Sequence, residues 1–147
     1  MENREQLPPG NSPESEFSYF GVQAGWGVTK HMGGLKATEK LAELCHIDKD
    51  KYVLEVGCGT GTTTSYLTKR YGCRVVGVDI SERMVDWAKK RAKRRGVESR
   101  VEFRIADAQN LPLDDALFDA VICESVTAFP EDLSLIHISE PTRQAEI

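Results

Sequence analysis

The chain has 147 residues, 40% of them hydrophobic and 29% charged, with a formal net charge of −4. That length holds one domain with an ordinary core, and the negative balance excludes a global electrostatic pull toward nucleic acid or an acidic membrane. No long uncharged apolar run occurs and the N-terminal stretch is polar and acidic, so neither a membrane span nor a secretory signal is expected. Cys45, Cys58, Cys73 and Cys123 show no CxxC spacing and lie in or beside apolar segments. They read as reduced, buried small hydrophobes of a cytoplasmic protein, with no metal site.

Residues 1–16 place Pro8, Pro9, Gly10, Asn11, Ser12 and Pro13 among charges, which predicts a disordered arm. Residues 17–34 interleave Phe17, Tyr19, Phe20 and Trp26 with glycines, and His31 precedes the pair Gly33-Gly34. Such a segment serves either as a lid over a site or as packing on the outside of the core. Over 35–46, Leu35, Leu41, Leu44 and Cys45 mark the apolar stripe of an amphipathic helix. A turn at 48–51 leads into a short buried strand at 52–56.

That strand runs into Gly57-Cys58-Gly59-Thr60-Gly61 and then into the helix-opening Thr62-Thr63-Thr64-Ser65. Glycines at alternate positions let the backbone take φ > 0 and approach a ligand closely, and the helix that follows opens with unpaired N–H groups. A nucleotide-like ligand suits this turn. The dinucleotide fingerprint requires Gly-x-Gly-x-x-Gly/Ala, whereas here Thr62 stands at the third small position and Gly61 comes one place early. The crossover helix spans 62–71 and stops at Gly72, with Tyr66 and Leu67 toward the sheet. A second strand, 74–79, ends in Asp79, 22 residues after Gly57, at a distance where a carboxylate can accept ribose hydroxyls. Ser81 is available to cap the next helix, 82–95, which turns Met84, Val85, Ala88 and Ala92 inward.

The last turns of that helix carry six basic residues in seven, Lys89 to Arg95. They suit either an RNA face or a solvated helix end whose cations meet the negative pole of the dipole; the negative net charge and the absence of aromatics within the run favour the second. A third strand at 101–106 is followed by Asp107-Ala108. Phe118-Asp119-Ala120-Val121-Ile122-Cys123 forms a fourth, with Glu124 at its carboxyl end, where open α/β sheets place ligands.

With Glu55 two residues before the first glycine, Gly-x-Gly-x-Gly at 57–61 resembles motif I of the class I S-adenosylmethionine-dependent methyltransferases. Asp79-Ile80, Asp107-Ala108 and the Phe-Asp-x-Val run at 118–121 resemble the succeeding motifs. Tyr19, Trp26-Gly27 and 31–35 resemble more loosely the N-terminal cap of the small-molecule, methyltransferase-11/25-like group. The resemblance covers about 17–132. It implies an α/β, Rossmann-like sheet, here incomplete, with the first four parallel strands and flanking helices. It implies S-adenosyl-L-methionine as cofactor, held by Glu55, Gly57, Cys58, Gly59, Gly61, Asp79, Ile80, Asp107, Ala108 and Glu124. Asp79 would take the ribose, Ile80 the adenine face, Asp107 the adenine amino group, and the Ala108 N–H the ring. Tyr19, Trp26 and His31 become acceptor-side candidates, and no catalytic residue is assigned. The implied reaction is in-line methyl transfer to a small-molecule acceptor such as an amine, phosphoamine, sterol, lipid or quinone. An RNA methyltransferase and a non-catalytic cofactor-binding fragment are the alternatives. No nucleic-acid partner is expected, and oligomeric state is undetermined.

Residues 133–147 depart from the family pattern. Leu133 to Arg143 resemble, residue by residue, the translation of a transposase-end sequencing adapter. The expectation is that natural sequence ends near Asp132, that the tail carries no function, and that the fourth strand therefore exposes an unpaired edge.

Overall fold

The computed structural model describes residues 33–124 and the backbone of residues 144–146. In chain order the elements are α1 (Gly34–Leu44), β1 (Tyr52–Val56), α2 (Thr62–Tyr71), β2 (Arg74–Asp79), α3 (Glu82–Arg95), a single 3-10 turn (Glu98–Arg100), β3 (Val101–Ile105), β4 (Ala120–Cys123) and β5 (Gln144–Glu146). All pairings are parallel, in the order β3-β2-β1-β4-β5. Strand order reverses beside β1, which creates the crevice where open α/β sheets bind ligands.

β1, β2 and β4 are largely apolar, valine-rich runs because both faces of the inner sheet are covered, whereas β3 at the edge carries Glu102 and Arg104. One face carries Val53, Val75, Ala120 and Ile122 against Leu41, Ala42, Cys45 and Leu67 of α1, its C-cap and α2. The other carries Leu54, Val56, Val76, Val78 and Val121 against Leu111 and Phe118 from the segment between β3 and β4. Local rules set the helix ends. Gly72 and Gly96 are left-handed C-caps, and the Ser81 side chain accepts from the Met84 N–H as N-cap of α3. Met84, Val85, Ala88 and Ala92 face inward as the periodicity predicts, and all four cysteines are buried thiols outside any disulfide.

Three expectations change. The buried stripe of α1 is Thr38, Leu41, Ala42 and Cys45, an i, i+3, i+4, i+7 set, while Leu35 and Leu44 are 46% and 60% exposed at the first and last turns. Strand β4 begins at Ala120 rather than Phe118. There the Asp119 carboxylate accepts from the Tyr52 N–H at 2.7 Å and the Asp119 N–H donates to the Tyr52 carbonyl at 2.8 Å, so Asp119 clips the start of β1 instead of extending β4. Finally, the outer edge of β4 is not bare: β5 pairs with it, Val121 to Gln144 through Cys123 to Glu146. That pairing satisfies backbone groups that an open edge would leave exposed.

Candidate functional site

The register brings the carboxyl ends of four strands together. Val56 lies beside Val78 and Cys123, and Asp79 beside Ile105. Gly57, Asp79, Asp107 and Glu124 therefore leave the sheet along one edge.

Between β1 and α2 the backbone turns through three left-handed glycines, Gly57 (φ 71), Gly59 (φ 53) and Gly61 (φ 73). The amides of Gly57 and Cys58 both donate to the Val78 carbonyl, at 2.8 and 2.9 Å, so the loop is sewn to the end of β2. Gly61 has a second constraint. A Cβ there would lie 2.9 Å from Ala88 Cβ and 3.3 Å from the Phe103 ring. This glycine performs the close helix packing that the third small residue performs in the dinucleotide turn, one place earlier.

Asp79 holds the loop from the other side. Its Oδ2 accepts from the Gly59 N–H at 2.8 Å and its Oδ1 from the Ser81 N–H at 2.9 Å. Burial raises its pKa above the usual carboxylate range, and those N–H donors oppose the rise. Next to it Ile80 stands 56% exposed, an apolar face without cover among the described residues. Asp107 is exposed after β3, where its Oδ1 accepts from the Gln109 N–H at 2.9 Å in a tight turn with Ala108.

Glu55 and Glu124 lie deeper, 4% and 7% exposed. The Thr64 hydroxyl donates to the Glu55 carboxyl. Burial, reinforced by the charges of Glu124 and Asp79, raises the Glu55 pKa from 4.5 to about 8, against the lowering effect of Thr64. Glu124 accepts from the hydroxyls of Thr38 and Thr63. The Cys58 thiol is pushed well above its usual value by burial and then by Glu55 and Asp79, so it is an inert thiol rather than a nucleophile. Among the described residues no group of His, Cys, Asp and Glu could hold a metal ion.

The structure thus brings Glu55, Gly57, Cys58, Gly59, Gly61 and Asp79 into one loop assembly, with Ile80, Asp107, Ala108 and Glu124 along the same edge. Tyr19, Trp26 and His31 lie outside the described residues, as do the arm at 1–16 and most of the tail. Sequence reasoning missed Thr38, Thr63, Thr64 and Arg91. The threonines had a signal: each falls on the sheet-facing side of its helix, where an unpaired hydroxyl is costly. Arg91 had none. It sits in the basic run, yet its Nε donates to the Thr60 carbonyl at 2.9 Å, reaching back to the glycine loop. Burial, then Arg94 and Arg95, lower its pKa. An aromatic does adjoin the run, since Lys90 Nζ lies 5.2 Å over the Trp87 ring.

The family described as "Methyltransferase domain" matches residues 53–140, from the glycine-loop strand onward. The chain belongs to this methyltransferase family. It is 35% identical over 99 residues to methyltransferase GfsG of Streptomyces halstedii, across 67% of this chain and 36% of that protein. It is 34% identical over 117 residues to ajmaline N-methyltransferase of Rauvolfia serpentina, across 73% of this chain and 40% of that protein. Among solved structures, an RNA methyltransferase from Salinibacter ruber in complex with S-adenosylhomocysteine superimposes with a TM-score of 0.57 at 27% identity, across 65% of this chain and 60% of that one. The chain therefore spans well under half the length of the two curated relatives.

Proposed function

We propose that this chain carries the cofactor half of an S-adenosylmethionine-dependent methyltransferase acting on a small-molecule acceptor. The observation that carries the reading is the loop from Gly57 to Gly61. It turns through three left-handed glycines, the middle one, Gly59, bonded to Asp79, and acids stand at the ends of the adjoining strands. The donor set fits the cofactor. Asp79 presents carboxylate oxygens at the height of a ribose, Ile80 offers an apolar face for adenine, and Asp107-Ala108 supplies an acceptor and an N–H for the ring edge. The absence of a Gly-x-x-Gly phosphate turn suits a ligand without phosphate.

Bound there, S-adenosylmethionine supplies a methyl group on a positively charged sulfur. The chain's residues then align and exclude water: charge is spread rather than created in such a transfer, and orientation alone recovers up to ~7–11 kcal/mol. Residues 17–34 serve this reading as a lid, with Tyr19, Trp26 and His31 toward the acceptor. The four buried thiols suit a reducing, cytosolic setting. The small-molecule class draws support from the ajmaline N-methyltransferase among the relatives. Residues 133–147 are proposed to be foreign sequence, which reading the source gene past the codon for Asp132 decides.

Calorimetric titration with S-adenosylhomocysteine and with NAD, separately, tests the cofactor assignment. Saturable binding of the first alone is expected; binding of NAD alone overturns it. The RNA reading has two observations of its own, the basic run on α3 and the likeness to an RNA methyltransferase. Reversing the charges of Lys89, Lys90 and Lys93 separates the two: methylation of small acceptors should survive, whereas loss of activity confined to RNA would favour the second reading.

A further inference from the structure

Glu124 is held by two helices that lie far from it in sequence. Thr38, in α1, donates to its Oε2 at 2.9 Å and to its Oε1 at 3.3 Å, and Thr63, in the first turn of α2, donates to its Oε1 at 2.9 Å. All three side chains are buried, Thr38 at 0%, Thr63 at 3% and Glu124 at 7% exposure. Because Val56 pairs with Cys123, the next residues, Gly57 and Glu124, leave the sheet side by side. The carboxylate is thus clamped next to the first glycine of the loop and cannot swing into solvent. Threonine suits this duty: its branched Cβ restricts χ1, so the hydroxyl is aimed before the acid arrives. The hydroxyl donors also offset the cost of burying a carboxylate.

Resting on the cofactor reading above, we propose that Thr38 is a positioning residue for the cofactor site: with Thr63 it fixes the Glu124 carboxylate beside Gly57, where its charge attracts the ammonium of the cofactor's methionine end. With Asp79 assigned to the ribose and Asp107-Ala108 to the adenine, the glycine loop beside Glu124 is left for the methionine end, which carries one ammonium and one carboxylate. A fixed negative charge on the β4 side selects which of the two lies there. It does so through the field of an oriented charge inside a partly dry site, where electrostatic interactions outlast solvent screening. Loss of the Thr38 hydroxyl would remove the bonds to both carboxylate oxygens from α1 and leave Thr63 holding Oε1 from α2.

The test compares S-adenosylhomocysteine with 5′-methylthioadenosine, which keeps the nucleoside and thioether but lacks the ammonium and carboxylate. Both are titrated calorimetrically into the full chain as wild type, Thr38→Val and Thr38→Ser. Thr38→Val should weaken S-adenosylhomocysteine about tenfold, the effect of one hydrogen bond to a charged group, and leave methylthioadenosine unchanged. Thr38→Ser, which keeps the hydroxyl, should restore the wild-type affinity. Equal weakening of both ligands would mean a purely structural role and overturn the proposal, as would an unchanged affinity for S-adenosylhomocysteine. Wild type that binds neither ligand would instead refute the cofactor reading, and the proposal would fall with it. If Thr38→Val does not fold, Glu124→Gln carries the same comparison, since it keeps shape and acceptor but removes the charge; a loss confined to S-adenosylhomocysteine is again required.

Discussion

Replacing Glu55 by glutamine should flatten a pH dependence of stability that the wild type carries. The carboxyl sits in β1 at 4% exposure, and burial raises its pKa from 4.5 to about 8. Below pH 4.5 it is protonated in both the folded and the unfolded chain and contributes nothing to pH dependence. Between 4.5 and about 8 the unfolded chain releases the proton while the folded chain keeps it, so folding takes up a proton and stability falls as pH rises. Above about 8 the loss is complete. At ~1.36 kcal/mol per pH unit the whole window corresponds to ~5 kcal/mol, a ceiling because the loop relaxes around a charged Glu55. Glutamine keeps the acceptor for the Thr64 hydroxyl and has no proton to lose. Urea denaturation of both proteins from about pH 5 to about pH 9 measures the difference. The variant should gain on the wild type steadily through the window, by several kcal/mol at the alkaline end. A difference that stays constant with pH would refute the reasoning, because it would mean that Glu55 titrates alike in folded and unfolded chains.

Gly61→Ala combines a left-handed φ of 73 with a Cβ 2.9 Å from Ala88 Cβ. The backbone alone costs ~1–2 kcal/mol and overpacking ~1–3 kcal/mol, so the urea midpoint should fall, and a midpoint unchanged from wild type would refute both costs. Asp79→Asn turns an amide NH2 toward the N–H of Gly59 or Ser81, donor against donor. S-adenosylhomocysteine should bind about tenfold or more weakly by calorimetry while circular dichroism stays native; unaltered affinity would remove Asp79 from the ribose. Arg91→Met keeps the stem but loses the bonds to Thr60, and should cost about 1 kcal/mol and speed amide hydrogen exchange at Gly59 and Gly61. Exchange unchanged there would mean that the loop holds its shape without the arginine.

Much of the fold was legible because its determinants are local. The bounds of β1, α2, β2 and α3 could be read from apolar runs closed by glycine or by a capping serine, and the structure places them at those residues. Where a local rule met a tertiary one, the reading slipped. Leu35 and Leu44 resemble core positions in a helix taken alone, but the sheet meets the stripe that contains Thr38. Asp119 reads as the first residue of a strand, yet its side chain replaces a ladder partner at Tyr52. The cover over β4 could not be foreseen, since strand pairing across a long separation leaves no periodic trace.

The candidate site was legible as a list of acids but not as a division of labour among them. In sequence, Glu55, Asp79, Asp107 and Glu124 are equivalent: each stands in or just after a strand, near its carboxyl end. Depth separates them. Asp107 is exposed and Asp79 is half-buried and bonded to backbone amides, so both can meet a ligand at the surface of the crevice. Glu55 and Glu124 lie behind, each bonded to threonine hydroxyls of the surrounding helices. Burial raises the Glu55 pKa to about 8, so this carboxyl keeps its proton at neutral pH. That assignment depends on which helix faces which strand, so no motif expresses it, and it directs the search for a ligand's positive end to Glu124 rather than to the acid that introduces the glycine loop.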